Sequence, residues 1–258
     1  MSYKTNEFKN NYILIKKKKL KYYLSTLLLK FNFTHAFFTK ESSEFPIEEL
    51  AKNFNNNEIN YFNNQIHSNL VVNASNSNFS KKFYADGIVS EKSNQNIWIY
   101  TADCMPILLA DRKTRLVSAI HCGRKGLEKK IIQQMIEKME NLGSLRKDIL
   151  VAIGPSISKV NYLVDQKCLE NFYKNISNTL ELNNNLRINS EDIFKYSKNG
   201  FPLDMRKYAF EELISNKIIP DNIDVSNNCT YELNHEFYSW RREKTDKRNW
   251  NFITSKLI

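Results

Sequence analysis

The middle of the chain consists of short apolar runs broken by turns. Ile97–Tyr100, Ile107–Ala110, Leu116–Ile120 and Ile149–Ile153 are too short for helices and are bounded by polar, Gly or Pro residues. Each predicts a buried strand. Ala36–Thr39, Leu70–Val72 and Ile223–Val225 predict shorter ones. After Ile120 the period changes: Leu127, Ile131, Met135, Ile136, Met139 and Leu142 recur at helical spacing, and Gly143 stands where a C-terminal cap belongs. Strand, helix, strand predicts a crossover unit with its strands parallel. Pro46 marks a helix start at Ile47–Leu50. Further helices are expected over Lys167–Ile176 and from a cap at Asp204 through Tyr208, Phe210 and Leu213 to Ile218. Residues 177–200 are polar and irregular, and the aromatic tail Phe237–Trp240 reads as a strand with its arginines in solvent.

This alternation predicts a layered α/β (α+β) fold. No internal repeat or linker divides the 258 residues, so residues 1–258 are expected to form one domain, with 1–32 as a peripheral basic segment. Apolar residues make up 41% of the chain, enough for a sizeable core. No run approaches the roughly 18 apolar residues of a membrane span, and no secretory signal is visible, so the expectation is a cytoplasmic protein without a membrane partner. The formal net charge is +10, but the basic residues are scattered apart from Lys16–Lys19, which argues against a nucleic-acid surface.

Chemistry narrows to few residues, because there are four histidines and four cysteines and no CxxC pair. Cys104 follows one apolar strand and His121 ends another, positions where layered folds gather functional groups. His67 precedes a third strand. Two imidazoles and a thiolate suit zinc and leave a fourth position open. On spacing alone the three serve equally as a surface histidine, a core cysteine and a core histidine. The segment His121-Cys122-Gly123-Arg124-Lys125-Gly126 opens a helix and offers two glycines and two cations to an anion, or is simply a tight turn. Phe237–Arg242 could stack on a base or merely pack. His35 and His235 read as structural, as do Cys168, Cys229 and, less firmly, Cys122.

Taken together, these segments resemble a known family. Thr101-Ala102-Asp103-Cys104-Met105-Pro106, Ala119-Ile120-His121-Cys122-Gly123, Ala152-Ile153-Gly154-Pro155, Tyr84-Ala85-Asp86-Gly87 and Phe237–Arg242 are similar, in order, to segments of the YfiH/laccase-domain family of multicopper polyphenol oxidoreductases, which includes purine nucleoside phosphorylases. The likeness runs over residues 33–253. It implies a mixed β-sheet core flanked by helices and a catalytic zinc ion on His67, Cys104 and His121. It also implies phosphorolysis of adenosine, inosine, guanosine or methylthioadenosine, with adenosine deamination as a second activity. Purine nucleoside and phosphate would then be the partners, with Lys125, Arg124, Lys40, Arg241 and Asp103 as substrate-binding candidates. Asp103 and Asp86 are candidate proton donors to the leaving purine.

The chain departs from the family in several places. Arg124 and Lys125 stand for a usual Trp-Arg pair, Ser68 for a glycine, and Phe37-Phe38-Thr39-Lys40 lacks the glycines that follow in relatives. Lysine keeps the charge of arginine but loses its planar fork. Two rival readings remain: copper-dependent phenol oxidation, which the older family label implies, and a metal-independent cysteine hydrolase with Cys104 as nucleophile.

Overall fold

The computed structural model describes residues 11–54, 59–76, 83–177 and 200–254. Among them are two six-stranded mixed sheets. The first runs β1 (Tyr12–Lys17), β2 (Leu20–Ser25), β3 (His35–Phe38), β14 (Asn249–Thr254), β7 (Gln95–Thr101) and β4 (Ile59–Tyr61). The second runs β13 (Ile223–Val225), β10 (Ile149–Ile153), β8 (Met105–Asp111), β9 (Val117–Cys122), β6 (Gly87–Val89) and β5 (Val71–Asn73). A small ribbon joins β11 (Leu163–Val164) to β12 (Phe201–Pro202). The helices are α1 (Thr26–Lys30), α2 (Lys40–Ser43), α3 (Ile47–Lys52), α4 (Arg124–Glu128), α5 (Ile131–Asn141), α6 (Gln166–Ser177), α7 (Met205–Ser215) and α8 (Trp240–Glu243).

The sheets pack face to face, and strand alternation decides what each side chain meets. Leu108 and Ala110 of β8 and Val117 and Ala119 of β9 lie between the sheets with Phe37, Ile97 and Ile99. Ile107, Leu109, Ile120 and Cys122 point the other way, onto a core shared with α4, α5, α6 and α7. Both faces are covered, so these strands read as unbroken apolar runs. On the outer face of the first sheet, Phe38, Trp98 and Phe252 stack (Trp98–Phe252 centroids 4.7 Å) beneath Ile47 and Leu50 of α3. Strands β9 and β10 do run in the same direction, as the crossover pattern predicts. Strand β8 lies between them, antiparallel to both, so they are not neighbours.

Three expectations are corrected. The single helix over Leu127–Leu142 is two, because Lys130 takes a left-handed backbone (φ 63°) and its amide turns back to Leu127 (2.9 Å). The apolar spacing survives the break because both halves face the second sheet. The segment 11–32 is an edge hairpin and a short helix, with Lys16–Lys19 exposed at the tip, but it is also built into the core. Tyr12, Leu20, Tyr22 and Leu28 are buried. Asp224 of β13 ties the segment down, accepting from the Ser25 hydroxyl (2.6 Å), the Leu27 amide (3.0 Å) and the Asn11 side chain (2.9 Å). The tail at 237–243 is a turn and a one-turn helix, not a strand. The Ser239 hydroxyl caps α8 by accepting from the Arg242 amide (3.2 Å). The Arg242 guanidinium donates to the carbonyls of Thr230, Tyr231 and Phe237 (2.7, 2.6 and 2.7 Å), so the backbone curls around it. The irregular stretch expected over 177–200 lies almost wholly outside the described residues. Among the described residues no helix is long and apolar enough to cross a membrane.

Candidate metal centre

At one end of the sandwich, three segments bring His67, Cys104 and His121 together. His121 continues the inward-facing parity of Val117 and Ala119 to the end of β9. Cys104 lies in the turn from β7 to β8, and the register Met105↔Cys122 sets it beside Gly123, two residues after His121. His67 comes from the loop ahead of β5. One donor atom from each residue falls within 4.8 Å of the others. Cys104 Sγ is 3.8 Å from His67 Nε2. Tetrahedral zinc with usual bond lengths needs S···N separations of about 3.6 Å. His121 is buried, Cys104 half-buried and His67 exposed, so the cluster is open on one side.

Asp86, just before β6, organises the cluster. Its carboxylate accepts from His121 Nδ1 (2.8 Å), the His67 amide (3.0 Å), and the amide and hydroxyl of Ser68 (2.6 and 2.7 Å). Fixing Nδ1 leaves Nε2 of His121 as the free donor, the usual carboxylate–histidine arrangement behind a metal. Burial alone would raise the Asp86 pKa. His121 and Ser68 outweigh burial and hold it down at about 2. Burial also pushes the Cys104 thiol up, but His121 and His67 outweigh that and bring it to about 6, favouring the thiolate. His121 is correspondingly raised towards the charged form, burial opposing and Cys104 and Asp86 prevailing.

Backbone geometry narrows the cradle further. His67 and Asp103 both take positive φ (57° and 87°), uncommon for residues with a side chain. A Cβ at Gly123 would lie 2.7 Å from Cys104 Sγ and 3.2 Å from the His67 ring, so only glycine fits there. The donor set, its open side, the aligned Nε2 and the glycine wall all suit a divalent transition metal. Cys122 points away from the cluster into the helix-side core, where burial pushes its thiol well up.

The other predicted residues divide. Asp103 and Arg241 are joined: the Asp103 carboxylate accepts from the Arg241 amide (2.6 Å) and the Thr230 hydroxyl (2.7 Å). Asp103 and Asp86, the two candidate proton donors, are thus both engaged as hydrogen-bond acceptors. Arg124 follows Gly123 and pairs with Glu128. Lys125 is exposed on the same short helix. Because α4 holds only five residues, the helix-terminus anion site expected there has little dipole behind it. Lys40 donates from its ammonium to the Asn234 carbonyl, and among the described residues no hydrogen bond or ion pair joins it to the cluster. His35 is buried with both ring nitrogens occupied, Nδ1 at the Phe33 carbonyl and Nε2 at the Ser25 amide (both 2.9 Å). Burial lowers its pKa to about 4. His235 is exposed. Sequence reasoning missed Tyr162, whose ring lies under the Arg241 guanidinium (5.0 Å to the centroid) and whose hydroxyl feels the Arg124 charge.

Residues 44–256 match the family model described as multi-copper polyphenol oxidoreductase laccase. The chain belongs to this family. Two solved structures show how widely the laccase-family fold is shared. One is YlmD from Geobacillus stearothermophilus (TM-score 0.78, 20% identity, 95% of this chain and 99% of that one). The other is the hypothetical protein YfiH from Bacillus licheniformis (TM-score 0.76, 21% identity, 94% and 99%). Among curated relatives, a purine nucleoside phosphorylase of Synechocystis sp. is 30% identical over 179 residues, 66% of this chain and 68% of the relative. A purine nucleoside phosphorylase of Clostridium acetobutylicum is 28% identical over 251 residues, 96% of this chain and 97% of the relative.

Proposed function

We propose that this laccase-family chain is a zinc-dependent purine nucleoside phosphorylase. The cluster of His67, Cys104 and His121, with Asp86 behind it, carries the reading. The full-length match to a named purine nucleoside phosphorylase supplies the substrate class. When bound there, zinc would supply a Lewis acid for an oxygen of the reactants. The chain's own residues do the rest. Asp86 holds His121 in one tautomer, Gly123 keeps the cradle open, and the basic side chains bordering the cluster draw in phosphate. A phosphate oxygen then bonds to C1′ of the ribose as the C1′–N9 bond breaks and the purine leaves with a proton.

The donor set favours zinc over a multicopper centre. Of the chain's four histidines, two are outside the cluster; His35 has both nitrogens committed and His235 lies exposed by Glu236. That leaves too few imidazoles for several copper ions. All four cysteines are free, and a site that depends on a thiolate suits a reducing compartment such as the cytoplasm.

The test is nucleobase release from inosine and adenosine by metal-analysed protein, with and without phosphate, beside Cys104→Ala. Phosphate-dependent release with about one zinc per chain, both lost in the variant, is expected. Turnover by metal-free protein would replace this reading with a cysteine hydrolase, and phenol oxidation with copper would replace it with an oxidase. Inosine formed from adenosine without phosphate reads the deaminase activity.

A further inference from the structure

The two arginines at the rim of the cluster, Arg241 and Arg242, are adjacent in sequence but differently used. Arg242 spends its donors on three carbonyls and on Glu243. Arg241 donates through Nη1 to the Leu163 carbonyl (2.8 Å), and among the described residues it has no carboxylate partner. Its guanidinium lies over the Tyr162 ring, and its backbone amide is anchored on Asp103, the residue before Cys104. From the other side comes Arg124, the residue after Gly123, whose charge favours the ionised form of the Tyr162 hydroxyl. Tyr162 therefore touches one guanidinium group and feels the charge of a second, each connected within one residue to the cradle of the cluster. Its hydroxyl is near enough to Cys104 to feel the charge on the sulfur.

Among the described residues the Tyr162 hydroxyl has no hydrogen-bond acceptor, so its proton is free to be donated. Burial raises its pKa, so it remains a donor at neutral pH. Planar guanidinium forks and a hydroxyl donor are the usual means of holding a tetrahedral oxyanion. Glu128 offsets part of the Arg124 charge, whereas among the described residues Arg241 has no ion-pair partner. We propose that Tyr162, Arg124 and Arg241 form the subsite for inorganic phosphate, with the Tyr162 hydroxyl donating to it. The choice of phosphate among oxyanions rests on the phosphorolytic reading above.

The experiment is titration calorimetry of inorganic phosphate into zinc-loaded protein without nucleoside, followed by steady-state kinetics. Tyr162→Phe keeps the ring beneath Arg241 and removes only the donor, so phosphate should bind about tenfold more weakly. Arg241→Met leaves the backbone contact to Asp103 in place and should weaken phosphate by about a hundredfold. Lys159→Met, an exposed cation on the same loop, should change nothing. In turnover, KM for phosphate should rise in the first two variants while KM for nucleoside holds. No phosphate binding by the parent, or equal binding by Tyr162→Phe and Arg241→Met, overturns the subsite. Phosphate binding that depends on these residues, without nucleobase release, supports the subsite and overturns the phosphorolytic reading. Phosphate-dependent release with unchanged phosphate KM in both variants does the reverse.

Discussion

Two buried aspartates anchor opposite commitments in this molecule. Asp86 and Asp224 both sit in or beside strands of the second sheet, and both are surrounded by donors. The donors at Asp224 are a hydroxyl, an amide and a carboxamide, whose other bonds stay within the N-terminal segment, so the carboxylate acts as a staple for it. One donor at Asp86 is an imidazole with a second nitrogen still free, so the same chemistry is passed on to the cluster. A buried carboxylate acquires a functional role through what its partners have left to offer.

The strongest way to break the comparison is Asp86→Ala. It frees the His121 ring and strands the donors of His67 and Ser68. Stability should fall by about 4 kcal/mol, and zinc affinity by at least the roughly 10–100-fold of a lost outer-shell partner. Urea unfolding and metal analysis read the two effects separately. Asp224→Ala should cost about 3 kcal/mol through the unpaired Ser25 and Leu27 donors yet keep its zinc stoichiometry. Loss of zinc there would merge the two roles.

A third carboxylate sharpens the contrast. Glu212 is buried between α5 and α7 and accepts from the Gln133 amide (3.2 Å), and burial pushes its pKa up to about 7. Its folded pKa lies above its unfolded one, so its contribution is present below about pH 4.5 and lost as pH rises through 7. Glu212→Gln should match the parent at pH 4.5 and exceed it by about 3 kcal/mol at pH 8, a difference that denaturation at the two pH values would reveal. Asp86 has the opposite sign, stabilising above its unfolded pKa and losing that as pH falls towards 2.

Much of this was legible in the chain. Strands β7 to β10 stood out because each is buried on both faces, and the candidate ligands stood out because they fall where those strands stop. The same burial hid how the strands divide into two sheets, since a run apolar on both sides does not say which layer covers it. The break at Lys130 left no trace because a left-handed lysine interrupts the hydrogen bonding without disturbing the apolar spacing. The tail misled because the curl at 237–243 is set by Arg242 reaching carbonyls as distant as Thr230. Tyr162 was invisible for the same reason: its meaning comes from two arginines brought to it by other segments.

Gly123 carries one more consequence, for how such a protein can change over generations. Every replacement a codon for glycine can reach adds a Cβ, and there a Cβ would lie 2.7 Å from the sulfur. No stepwise route leads out of that position while the cluster is kept. Two residues on, Lys125 faces solvent, where a different side chain would meet no such wall. Inheritance through this turn is therefore uneven, with a fixed point next to an open one, and variation in what the rim accepts can accumulate around a cradle that cannot itself vary.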